Sequence, residues 1–148
     1  HAMIYCDRPS RSLHMALVKG DINPGKETLV RVHQPVSIMD FLNTGSSHSW
    51  SLTDAMQEIA KAERGILILL NCNEVPEDFL GRFKALGNRS ENRPAPATAQ
   101  TLRNYGIGAQ ILRDIGAGRL RLLGNPKKMP SMAGFGLDII GYLENRNT

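Results

Sequence analysis

A chain of 148 residues with 41% apolar side chains can bury one real core, is too short for two domains, and does not read as a disordered tail. Aromatic residues supply only 5%, so Leu, Ile, Val, Ala and Met must build that core. The net charge of +4 contains no run of five basic residues, which argues against a nucleic-acid arm and leaves a phosphorylated small molecule or an acidic protein surface as the anionic partner.

His1-Ala2-Met3 resembles a tag remnant, and the polar, proline-bearing residues 4–11 read as a leader or linker. The domain is therefore expected over 12–145, as one piece of a longer chain. His14 to Val18 is a short apolar run closed by Lys19-Gly20-Asp21, which predicts a strand. Asn23-Pro24-Gly25 is a turn signal, because proline presets φ and glycine accepts positive φ. Thr28 to His33 alternates and is β-branched, so a second strand is expected to pair with the first as an antiparallel hairpin.

After a small-polar loop over 43–49, Leu52, Ala55, Met56, Ile59 and Ala60 recur at helical spacing, with Ser51 or Thr53 as N-cap and Gly65 as the stop. Ile66 to Leu70 is an unbroken aliphatic run, the pattern of a strand buried on both faces. A short helix is expected within 74–88, followed by a loop over 88–97 with two prolines and no periodicity. Ala99 to Ile115 is the clearest helical pattern that follows, although Gly106 and Gly108 weaken its first half. Leu120 to Leu123 is a strand, Asn125-Pro126-Lys127-Lys128 a basic loop, and Leu137 to Leu143 a last strand. Strands alternating with helices give an α/β class with mixed α+β character: an N-terminal hairpin, then alternating elements.

Four of these segments resemble the GTP cyclohydrolase II family, which opens the imidazole ring of GTP at the start of riboflavin synthesis. Ala16 to Ile22 with Leu29-Val30-Arg31-Val32-His33 is similar to the family's entry strands and its R-V-H motif. Ile59-Ala60 with Arg64-Gly65-Ile66-Leu67 is similar to I-A-x-x-x-R-G-I-L. Leu102 to Leu112 is similar to L-R-D-Y-G-I-G-A-Q-I-L, the most specific match. Arg121-Leu122-Leu123 with Asn125-Pro126-Lys127-Lys128 resembles R-L-L-T-N-N-P-K-K, one residue shorter. The resemblance runs from about Ala16 to Leu143 and implies the family's fold. In many bacteria such a domain follows a 3,4-dihydroxy-2-butanone 4-phosphate synthase domain, so a synthase domain of the same chain is the expected neighbour.

The family's chemistry needs a zinc-bound water, whose pKa the metal lowers so that hydroxide forms at neutral pH. Three cysteines hold that zinc. Anchored on the flanking motifs, this sequence has Val36, Ser46 and His48 at those positions. Valine offers no donor and serine is a poor zinc ligand near neutral pH, so no zinc and no other cofactor is expected. The family's D-x-R, an aspartate base and a nucleophilic arginine, becomes Thr101-Leu102-Arg103, with a hydroxyl that does not accept a proton usefully near pH 7. Arg31 and Lys128 align with the family's nucleotide or phosphate contacts, while Gly124 replaces a threonine contact. Arg31, Arg103 and Lys128 remain as cations able to bind an anion.

Plainer readings stand beside these. His48 reads as a solvated loop histidine, Lys127-Lys128 as a solvated pair, and Arg103 as a helix-start arginine kept for packing or a salt bridge. Cys72 reads as a small core residue and not a nucleophile. Cys6 and Cys72 are the only cysteines, too few for a disulfide framework. Gly106-Ile107-Gly108 lies in a helical pattern and is no phosphate loop. The resulting expectation is a cytoplasmic, non-membrane, zinc-less domain with a structural, dimerising or regulatory role. Phe79, Phe83 and Phe135 are the candidate exposed positions of a homodimer interface. The alternatives are a nucleotide- or phosphate-binding sensor and an active cyclohydrolase with an altered metal site.

Overall fold

The computed structural model describes residues 1–34, 50–72, 77, 80–81, 99–126 and 132–145. Within them a six-stranded mixed sheet carries one helix on each face. The strands are β1 (Ala2–Asp7), β2 (Ser12–Lys19), β3 (Glu27–His33), β4 (Gly65–Leu69), β5 (Arg119–Leu123) and β6 (Asp138–Leu143). Helix α1 (Leu52–Lys61) lies between β3 and β4 in sequence, and α2 (Ala99–Ile115) precedes β5. A single 3-10 turn, Ala133–Phe135, leads into β6. Glu77, Leu80 and Gly81 are helical, in keeping with the short helix expected there; the loop over 88–97 lies outside the described residues.

The spatial order is β1-β2-β4-β3-β5-β6. β2 runs antiparallel to both β1 and β4, whereas β3, β4, β5 and β6 are mutually parallel. The aliphatic run explains the arrangement. All five residues of β4 are buried, so this strand takes the interior of the sheet with apolar packing on both faces. Ile66, Leu67 and Ile68 are at most 1% exposed, and each such side chain contributes about 1.5–3 kcal/mol on burial.

Strand alternation divides the core in two. Ala16, Val30, Ile66, Ile68, Leu70 and Leu120 pack with Ala109, Ile111 and Leu112 of α2. Leu67, Leu69 and Leu123 pack with Trp50 and with Leu52, Ala55 and Ile59 of α1. Ser51 caps α1, its hydroxyl accepting the Asp54 N–H at 3.0 Å, and Asp54 and Lys61 place opposite charges at the ends that favour them.

Four expectations from the sequence are corrected. The strands at 12–19 and 27–33 do not form a hairpin, because β4 stands between them. The Asn23 turn does form, with Asn23 Oδ1 accepting the Gly25 N–H at 2.9 Å, but it joins two non-adjacent strands. The residues read as tag and linker contribute β1, which pairs with β2 from Ala2↔Leu17 to Asp7↔Ser12. Helix α1 ends at Lys61, and Gly65 opens β4 with Ile59 packed so close that a Cβ there would lie 2.7 Å from Ile59 Cγ2. Phe135 is not fully exposed but partly buried against the α2-side core; Phe79 and Phe83 lie outside the described residues.

Candidate functional site

In open α/β sheets ligands bind beyond the carboxyl ends of parallel strands. Here those ends are His33, Leu69, Leu123 and Leu143. On the α1 side of this edge, Arg31 is the central polar group. Its Nη1 donates to the Leu123 carbonyl at 2.8 Å and its Nη2 to the Trp50 carbonyl at 3.3 Å. Burial holds its pKa below the ordinary guanidinium value. Trp50, only 6% exposed, donates in turn from Nε1 to the Leu143 carbonyl at 3.0 Å. One arginine and one tryptophan thus join the ends of β5 and β6 to the start of α1.

Arg103 lies on the other side. Arg31 shares its strand face with Leu29, which packs on the α1 side, whereas Val30 and Val32 face α2. Arg103 belongs to α2, so the two arginines occupy opposite faces of the sheet and the structure does not bring them together. Arg103 Nη2 donates to Asp7 Oδ2 at 2.5 Å, an ion pair between α2 and the end of β1. The salt-bridge reading of Arg103 is therefore the one its geometry matches. The Ser10 hydroxyl also donates to Asp7, and this bond, followed by Arg103, holds the carboxyl below its usual range against the opposing effect of burial.

Beside this pair sits His14, 1% exposed. Its Nδ1 accepts the Asn71 N–H at 3.1 Å, which fixes the neutral ring with its proton on Nε2. Burial is the main cause that lowers its pKa; the nearby Asp7 carboxylate opposes this and the Arg103 cation adds to it. Farther along α2, the Tyr5 hydroxyl donates to Asp114 Oδ2 at 2.9 Å. Burial first, and the carboxylate second, push the Tyr5 phenol up to about 12.

Asp7 and His14 were not singled out from the sequence as site residues. The signal was present, because Tyr5 and Asp7 are two apart and so share a face in any strand, but the Arg8-Pro9-Ser10 stretch read as linker. Cys72 is likewise corrected: it lies just past β4 and is exposed, not a core residue, with its N–H on the Leu13 carbonyl at 2.9 Å. Gly106 and Gly108 lie inside α2, as expected. Thr101 is in the first turn of α2, and its side chain lies outside the described part. Val36, Ser46, His48 and Lys128 lie outside the described residues.

A family model described as GTP cyclohydrolase II matches residues 1–144. The chain is 40% identical over 141 residues to a 3,4-dihydroxy-2-butanone 4-phosphate synthase of Neisseria meningitidis serogroup A, covering 95% of this chain and 37% of that protein. It is 34% identical over 139 residues to a protein of the same name from Pseudomonas aeruginosa, covering 94% and 38%. It is also 36% identical over 149 residues to a probable monofunctional riboflavin biosynthesis protein RIBA 3, chloroplastic, of Oryza sativa subsp. japonica, covering 95% and 28%. The chain thus spans less than two fifths of the length of these relatives.

Proposed function

The chain belongs to the GTP cyclohydrolase II family of riboflavin biosynthesis, and from that premise we propose that it is a member that does not open the GTP ring. The observation that carries this reading is the donor set. Val36 has no lone pair to give, Ser46 keeps its hydroxyl proton near neutral pH, and His48 alone remains. These residues do not fit a zinc ion that the family holds with three thiolates, and no hydrolytic step is derived through one.

The other groups point the same way. Thr101 replaces the family's carboxylate base. Arg31 is committed to the Leu123 and Trp50 carbonyls, and Arg103 to Asp7. Both serve as struts between elements.

The role that remains is structural, dimerising or regulatory, beside a 3,4-dihydroxy-2-butanone 4-phosphate synthase domain. This is supported by relatives that bear the synthase name and are more than twice as long as the matched region. Nothing among the described residues is a helix long and apolar enough to cross a membrane. A second reading, an anion-binding sensor, is favoured by the exposure of Arg103, 43% at its side chain.

Incubating the purified protein with GTP and assaying formate tests the principal reading. No formate above the protein-free rate is expected, and turnover that follows this protein through purification contradicts it.

A further inference from the structure

Three successive amides fasten the chain as it leaves β4, and their acceptors differ in kind. The Leu70 N–H donates to the His33 carbonyl at 3.0 Å, and the Cys72 N–H to the Leu13 carbonyl at 2.9 Å. Between them, the Asn71 N–H donates at 3.1 Å to a side chain, His14 Nδ1. Asn71 has a φ of 55°, the left-handed conformation that asparagine adopts more readily than most residues. Carbonyls accept at every pH. An imidazole nitrogen accepts only while it carries no proton.

A proton added to His14 goes to Nδ1, because Nε2 already holds one. It then meets the Asn71 N–H, donor against donor, and that bond is lost while its two carbonyl neighbours keep theirs. His14 is 1% exposed, so water cannot replace the lost partner unless the chain moves. Among the described residues, the charged and titratable groups around the ring are Tyr5 and Asp7 of β1, Arg8 beyond it, and Arg103 and Asp114 of α2. Asp7 favours the added proton and Arg103 opposes it. Ser10 first, and Arg103 after it, hold the Asp7 carboxyl below its usual range, which keeps that charge present to lower pH. Burial pushes the thiol of Cys72, next to Asn71, up, so it stays neutral in acid.

We infer that His14 is a proton-controlled fastening for the chain that leaves β4. With the ring neutral, Asn71 is tied to β2; with the ring protonated, Asn71 is released while Leu70 and Cys72 hold. The release takes place at the carboxyl edge of the parallel strands, just past Leu69. It frees the chain at the edge where ligands bind in such sheets, and it leaves the sheet itself folded. This goes beyond the proposed function and stands whether or not ring-opening chemistry is absent, so the formate assay and the following test can fail separately.

The test is amide hydrogen exchange of the full chain, read by nuclear magnetic resonance above and below the titration midpoint of His14 and corrected for the intrinsic pH dependence of exchange. Protection of the Asn71 amide is expected to fall by about tenfold below the midpoint, the scale of one hydrogen bond, while Ile68 in the middle of β4 keeps its protection. His14→Asn places an oxygen acceptor near the Nδ1 position that takes up no proton in this range, and it is expected to make Asn71 protection independent of pH. Asn71 protection that is unchanged through the wild-type midpoint overturns the inference. So does loss at Asn71 in step with Ile68, which is unfolding of the strand, or the same fall in His14→Asn. If that variant fails to fold, the wild-type comparison of Asn71 with Ile68 decides alone.

Discussion

Arg31 Nη1 reaches the carbonyl of Leu123 at 2.8 Å across the parallel pair β3–β5, while the other arm of the same guanidinium holds the Trp50 carbonyl. A side chain that the family resemblance assigns to ligand contact is here a strut between the sheet and the entry to α1. Arg31→Met is expected to remove both bonds and leave two partly buried carbonyls unpaired, costing about 2–3 kcal/mol. Urea denaturation checks this, and a loss below about 0.5 kcal/mol, the range of neutral surface changes, contradicts it.

Trp50 extends that strut. It is the only tryptophan, is 6% exposed, and donates to Leu143 at 3.0 Å. Its fluorescence is expected to be blue-shifted in the native state and to move red on unfolding. Trp50→Phe keeps most of the apolar contact but loses the N–H, for an expected cost of about 1 kcal/mol in the same urea experiment.

Tyr5 gives a test at high pH. Its folded pKa, about 12, is raised above the ordinary 10.0, so the folded state favours the protonated phenol. The stability this contributes is complete below pH 10.0 and is lost as pH rises towards 12. Difference titration of phenolate absorbance between wild type and Tyr5→Phe is expected to isolate one group ionising near 12, and Asp114→Asn to bring it down. A wild-type minus Tyr5→Phe difference centred near 10 contradicts the Tyr5–Asp114 bond.

His14 gives the opposite sign at low pH. Its folded pKa is lowered, by burial first, so the folded state favours the neutral ring. The stability this contributes is present above the unfolded value of about 6.5 and declines as pH falls through the lower folded value. Nitrogen-15 spectra are expected to show His14 as the Nε2–H tautomer at neutral pH and still neutral at pH values where a solvent-exposed histidine is charged. A His14 that titrates at the ordinary value contradicts the buried acceptor bond from Asn71.

What was legible in the sequence followed local pattern. Helix α2 spans Ala99 to Ile115 as its periodicity required, and Ile66 to Leu70 revealed its two-sided burial because no polar residue interrupts it. What was not legible was pairing. Asn23-Pro24-Gly25 is a true turn, yet its flanking strands are held apart by β4, whose larger apolar surface claims the middle of the sheet. Edge strand β1 was not legible because its outer face meets solvent, leaving Ile4 and Cys6 exposed, so its apolar residues show no polar–apolar alternation, and Pro9 makes the residues after it resemble a linker. The candidate site divides likewise. Arg103 was recognised by its motif, but its partner Asp7 lies 96 residues away, and only the fold brings the two together.

The account rests on the proposal that Val36, Ser46 and His48, standing where the family has zinc-binding cysteines, hold no zinc. Elemental analysis of the protein after equilibration with zinc and exhaustive dialysis tests this most directly. The expected result is zinc far below one equivalent per chain. One tightly retained zinc per chain, lost when His48 is replaced by Ala, contradicts it.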